Sequence, residues 1–190
     1  MQTELREDVA RYQAKGDRRI GVWGNPAFWA IAWYRFGHFI YRENSPWILR
    51  TPLKAVYLAG ALFCESVLQM RLPCSAEIGG GLCISHVGGV VLHHRTVIGK
   101  NCDLAHQVTI GTAGFGRTGV PRIGHDVYIG TGAVLIGDIE IGNGARIAAN
   151  SLVNRDVPPG AIAMGVPAKI VKYAEGCKEL AQEVSNPLTR

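Results

Sequence analysis

Residues 78–153 read IGGGLCISHVGGVVLHHRTVIGKNCDLAHQVTIGTAGFGRTGVPRIGHDVYIGTGAVLIGDIEIGNGARIAANSLV. A branched apolar residue returns there every six positions: Ile78, Ile84, Val90, then Ile98, Leu104, Ile110, then Ile123, Ile129, Leu135, Ile141, Ile147 and Val153. Two interruptions break the count, two extra residues before Ile98 and a longer insertion between Ile110 and Ile123. Such a period decides architecture ahead of local propensity. Six is neither the helical period nor the alternation of a strand. It predicts a short strand plus a corner, three of which close a triangular coil of eighteen residues.

Each guide residue is expected to point inward. Gly often follows it, at 79, 99, 111, 124, 130 and 142, and a second inward position holds Cys102, Val108, Val127, Ala133, Ala145 and Ser151. Coils stack as parallel strands about 4.8 Å apart, each burying the apolar edge its neighbour leaves open. Four coils fit between Ile78 and Pro158, and Val157-Pro158-Pro159-Gly160 is expected to end the stack, because Pro donates no rung.

Outward from this core, the 190 residues divide into a helical N-terminal region (1–70), the repeat domain (71–170) with a protruding loop (112–122), and a C-terminal tail (171–190). A hydrophobic content of 47% with 18% charge excludes a mainly disordered chain. Net charge is +5, which fits ordinary solvation or an anionic partner such as a phosphate-rich cofactor; a nucleic-acid partner is not expected. The five Cys lack metal-type spacing and read as free thiols of a reducing compartment, and the polar N-terminus carries no secretory signal, so the expected address is cytoplasmic.

Residues 5–16 read as a short surface helix. Asn25-Pro26 opens a second helix, with Trp29, Trp33, Phe36 and Ile40 at helical spacing and Arg35, His38 and Arg42 interleaved, and Asn44-Ser45-Pro46 breaks it. A third helix runs from about Pro52 to Met70, too interrupted by Lys54, Glu65 and Gln69 for a membrane span. Two readings stay open for it. One is peripheral contact with the inner face of a membrane, anchored by Trp33 and Trp47; the other is burial against the repeat domain or a sister subunit. Residues 169–190 have a polar, helical look.

The repeat also predicts neighbours. His86 follows Ile84 by two and His106 follows Leu104 by two, so both occupy one corner on adjacent coils; Thr131 and Ala149 continue that edge. Two imidazoles within about 5 Å disfavour double protonation, leaving one able to accept a proton from a hydroxyl. His93 and His94 are placed beside the two-residue insertion without stacked partners, and His125 and His38 on other faces. Zinc at His86 and His106 would lack a third ligand, and catalytic zinc takes three, so no metal is expected. The loop TAGFGRTGVPR lacks a phosphate-cradling GxxxxGK[ST]; Lys169 and Lys172 are better placed to meet an anionic cofactor.

The hexads, SHVGGVV, the VTIG before the loop and the closing GVPAKIV together resemble the hexapeptide-repeat acyltransferases, and residues from about Leu5 to Lys172 resemble the serine acetyltransferase branch. The resemblance implies a left-handed parallel β-helix, an exception to right-handed crossovers, built as homotrimers with sites between prisms. It implies acetyl transfer from acetyl-CoA to a hydroxyl, with His86 the catalytic histidine and Thr112, Thr131 and Ala149 on the pantetheine; the stacked His106 is the second catalytic candidate and Lys169 the candidate for the cofactor's phosphate. The branch carries an Asp at Ser85, an acid at Arg71 and Arg-His at Gly119-Val120. Their absence removes groups that would hold a zwitterion. His106, where the branch usually has Gln, resembles the exopolysaccharide (colanic-acid type) O-acetyltransferases. The expected acceptor is therefore a sugar hydroxyl, with serine as the alternative; a third reading is a non-catalytic or metal-binding scaffold.

Overall fold

A computed structural model describes residues 2–16, 21–42, 47–114 and 116–173, with the backbone alone at 47–50. Three helices, α1 (Gln2–Ala14), α2 (Pro26–Arg42) and α3 (Trp47–Ser66), precede fifteen short strands, β1–β15 in chain order. The strands form three sheets. One runs β1 (Met70–Arg71), β4 (Val90–Leu92), β7 (Thr109–Gly111), β10 (Val134–Ile136), β13 (Leu152–Val153). A second stacks β2 (Glu77–Ile78), β5 (Val97–Ile98), β8 (Arg122–Ile123) and β11 (Glu140–Ile141). The third runs β3 (Cys83–Ile84), β6 (Asp103–Leu104), β9 (Tyr128–Ile129), β12 (Arg146–Ile147), β14 (Ala161–Gly165), β15 (Ala168–Tyr173). Pairing between coils is parallel throughout. These are the three faces of the triangular coil that the six-residue period predicts.

The guide residues form three inward columns. Leu92, Ile110, Leu135 and Val153 fill one, Ile78, Ile98, Ile123 and Ile141 the second, and Ile84, Leu104, Ile129 and Ile147 the third; all are buried. The second inward positions, Cys102, Val108, Val127, Ala133, Ala145 and Ser151, are buried as expected. Corners turn through left-handed backbone at Asn101 (φ 57°), Asp126 (57°) and Asn150 (56°), residue types that tolerate it, at Gln107 (60°), or at Gly. Gly99 serves close approach instead: a Cβ there would lie 2.6 Å from the backbone of Gly124 one coil on.

The register corrects one expectation. Leu92, not Val90, lies opposite Ile110. Eight residues therefore separate Ile84 from Leu92, and six separate Leu92 from Ile98. The two extra residues sit in the corner 85–89, where Gly88 (φ 110°) and Gly89 (φ 70°) widen the turn directly after His86. Val90 and Leu92 are both branched, apolar and buried, so a six-count alone accepts either. His93 is consequently not unstacked; its N–H donates to Ile110 O at 2.9 Å.

Both ends also depart. Pro158-Pro159 forms a corner rather than a terminus, since β14 adds a further parallel strand on β12. Lys169 to Tyr173 is no helix. It folds back as β15, antiparallel to β14, after the cis Val166–Pro167 bond; the tail from 174 lies outside the described residues.

The helices dock on the start of the prism through a buried ion pair. Asp8 and Arg35 are 0% and 1% exposed. Arg35 Nε and Nη2 donate to the Asp8 carboxylate at 3.0 and 3.1 Å, and its remaining N–H groups reach Ile78 O and Gly79 O at 2.5 and 2.7 Å. Leu82 N–H completes the carboxylate's shell at 2.8 Å. Burial acts to raise the Asp8 carboxyl pKa, and Arg35 and Leu82 act against it. Tyr12 adds a second anchor, its hydroxyl donating to Ile84 O at 2.7 Å and accepting from Ile84 N–H at 3.0 Å. α1 is therefore a docked element, not the surface helix its charge pattern suggests. In α2 the buried face is Phe28, Ile31, Tyr34 and Arg35, whereas Trp29 is half exposed.

Trp33 is half-buried, and its indole N–H donates to Tyr57 O at 3.0 Å between α2 and α3. The Trp47 side chain and the break at 44–46 lie outside the described residues. No helix among the described residues is long and apolar enough to cross a membrane, although α3 exposes Val56, Leu58, Leu62 and Phe63.

Removing one partner of a buried pair leaves the other charge uncompensated, at a cost of about 3–5 kcal/mol. Asp8→Asn should lower unfolding stability in urea by that order, and Asp8→Leu/Arg35→Met together should cost less than either single change. Equal or greater loss in the double variant would contradict this account of the anchor.

Candidate active site

The third face brings the chemistry together. Ile84 lies opposite Leu104, and Leu104 opposite Ile129, which lies opposite Ile147. His86, His106, Thr131 and Ala149 therefore share one edge, as the spacing predicts, despite the wider corner after His86. The His86 and His106 rings stand 5.9 Å apart, centroid to centroid, at 67°. That is slightly farther than the expected separation, with one ring edge toward the other's face. His86 is exposed and His106 half-buried. His106 Nδ1 is fully buried and makes no hydrogen bond among the described residues.

Backbone bonds hold this edge rigid. Gly132 N–H donates to His106 O at 3.1 Å and Asn150 N–H to Thr131 O at 2.8 Å. At the corner that precedes β6, the Cys102 thiol is buried against Gly124 O at 3.2 Å, and burial pushes it up to about 11.

A cavity of about 540 Å³ opens beside His86, between the prism and the helices. Ser85, His86 and Cys83 form its prism wall; Tyr12, Lys15 and Asn25 form the opposite one. Asn25 caps α2, its Oδ1 accepting from Ala27 N–H at 2.9 Å. Lys15 could not be placed by any motif, since only the docking of α1 carries it to the prism.

The other candidate residues lie apart. Thr112 is half-buried where the loop leaves β7. Lys169 is exposed on β15, beside a separate cavity with Arg155 and Asp156. Thr131 is half-buried and Ala149 exposed. The loop is pinned at its return by the Arg95 guanidinium on Thr118 O, and Val120 is buried; Phe115 lies outside the described residues. His93 and His94 stack together at 4.1 Å away from this edge, and His93 is held below the usual histidine range by burial and by His94, Arg95 and Arg71. No group of three metal-ligating side chains occurs among the described residues.

Comparison with known proteins places the chain. Residues 121–155 match the family model for bacterial transferase hexapeptide (six repeats). Serine acetyltransferase of Escherichia coli K12 is 36% identical over 147 residues, which is 76% of this chain and 50% of that protein. A serine acetyltransferase solved in complex with CoA superposes with a TM-score of 0.72 at 30% identity, covering 89% of this chain and 68% of that one. Neisseria gonorrhoeae serine acetyltransferase in complex with serine gives 0.75 at 28% identity, covering 88% and 68%. The chain belongs to the hexapeptide-repeat acyltransferase family. It spans about half the length of the curated relatives it matches.

These relatives correct the expected acceptor. Proteins 32–36% identical to the chain are named serine acetyltransferases, and so are the solved neighbours. The sugar-hydroxyl reading, and with it the closeness to exopolysaccharide enzymes, is set aside. It rests on charges missing at Ser85, Arg71, Gly119 and Val120 and on His106 in place of Gln, differences that the relatives' names outweigh.

The ring geometry is directly checkable. Nuclear Overhauser contacts should connect ring protons of His86 and His106 in the free protein, and none should connect either ring to His93. Their absence would contradict the register that pairs the two histidines.

Proposed function

We propose that the chain is an acetyl-CoA-dependent O-acetyltransferase whose acceptor is the hydroxyl of serine. The observation that carries the chemistry is an exposed imidazole, His86, at the wall of a cavity and within ring contact of His106. The acceptor is supported by the names of the relatives and by the neighbour solved with serine.

In this reading His86 accepts the hydroxyl proton while the oxygen attacks the thioester carbonyl. The tetrahedral intermediate collapses by breaking the C–S bond, and the departing sulfur takes the proton back from His86. His106 positions His86. Its Nδ1 is buried and makes no hydrogen bond among the described residues, so the ring is held by packing against His86. The edge at Thr131 and Ala149 offers a narrow bed for the pantetheine arm, Thr112 a further contact where the loop leaves β7, and Lys169 a point charge for phosphate. The hand of the coil is left-handed in this reading, as in other members of the resemblance.

Purified protein should release thiol from acetyl-CoA when L-serine is added. His86→Ala should lower kcat by about 10²–10⁴-fold, whereas Ala149→Trp should act mainly on KM for acetyl-CoA. Full activity in His86→Ala would remove the proposed base.

We also propose a homotrimer. The prism's outer faces expose apolar Val91 and Tyr128 at 40% and 42%. Light scattering should return three times the 20.5 kDa chain mass; a monomer at micromolar concentration would exclude the arrangement.

A further inference from the structure

The cavity beside His86 has an uneven charge. Among its described lining residues Lys15 is the one with a fixed charge, and none of them is a carboxylate. Lys15 Nζ lies 2.6 Å from Asp103 Oδ1. Asp103 is already held by Arg11, whose Nη2 and Nε donate to its two oxygens at 2.7 and 3.4 Å. Two cations thus contact the carboxylate of Asp103, with Asp126 acting on Arg11 from farther off. Asp103 is the least accessible of the three, at 11% side-chain exposure against 30% for Arg11 and 39% for Lys15. Of these three groups Lys15 is the one that lines the cavity. An ammonium has three donors, and one engaged on Asp103 leaves others for a ligand.

Among the described lining residues no carboxylate is offered to an amino group. Ser85 stands beside His86 where a carboxylate would pair with ammonium, and Arg71 lies on another face, 3.8 Å from Glu65. A bound ammonium would meet Lys15 as a like charge.

We propose that this cavity is the acceptor subsite and that Lys15 recognises the acceptor's carboxylate, so that the acceptor class is small hydroxy-carboxylates with or without an amino group. The assignment rests on the acetyl-transfer reading above. Lys15 sets specificity through binding and takes no part in the proton transfer. It also supplies from α1 the cation that Gly119-Val120 of the loop does not.

The test compares L-serine, its amide and glycerate as acceptors for the wild type, Lys15→Met and Lys15→Arg. A charge-assisted hydrogen bond is lost with the carboxylate or the ammonium, so serinamide in the wild type and serine in Lys15→Met should each show KM raised about tenfold to a hundredfold. KM for acetyl-CoA should not move. Lys15→Arg should restore most of the affinity, serinamide should not distinguish wild type from Lys15→Met, and glycerate should stay within a few-fold of serine. Serine KM unchanged in Lys15→Met, or serinamide equal to serine in the wild type, would overturn the assignment. Glycerate binding followed by NMR at the His86 ring separates the two readings. A shift in wild type that vanishes in Lys15→Met, without acetylation of any acceptor, keeps the subsite and rejects the transferase reading. No shift in the wild type rejects the subsite.

Discussion

A carboxylate and a guanidinium taken out of water together hold this molecule in its working shape. Asp8 and Arg35 come from different helices, and the bonds they leave over go to Ile78, Gly79 and Leu82 at the first turns of the prism. A buried pair seldom adds much net stability over an apolar one. Its value here is geometric: it fixes where α1 ends, and hence where Lys15 and Tyr12 stand relative to His86. The cavity exists only because that distance is set.

The prism supplies the other half of the site by repetition. Each coil contributes one residue to every edge, so a pair separated by twenty positions in sequence becomes a ring contact. The widened corner at 85–89 lets His86 project without shifting the strands before and after it, because both extra residues are absorbed between β3 and β4. Chemistry is thus placed at the one corner in this column that departs from regular geometry. Functional sites commonly sit where a repeat is broken.

Much of this was legible in the residues. The hexad alone predicts three parallel faces, the inward columns and the sharing of one edge by His86, His106, Thr131 and Ala149. It misplaced the two-residue slip because Val90 and Leu92 are equally apolar; Gly88-Gly89, a pair suited to positive φ, was the signal that could have located it. Arg35 reads as a polar residue between aromatic ones until a carboxylate 27 positions earlier is brought against it. The strand at Lys169–Tyr173 reads as polar tail because its pairing partner, not its composition, decides its state. Charge differences counted position by position point to a sugar acceptor, whereas the relatives are named serine acetyltransferases.

The central claim is that a hydroxyl acceptor sits between His86 and the α1 wall. A crystal structure of the protein with CoA and L-serine measures this most directly. The account predicts the serine hydroxyl within hydrogen-bond reach of a His86 ring nitrogen, about 2.6–3.2 Å, with its carboxylate turned toward Lys15. Serine bound with its hydroxyl away from His86, or at a site that His86 does not line, would contradict it.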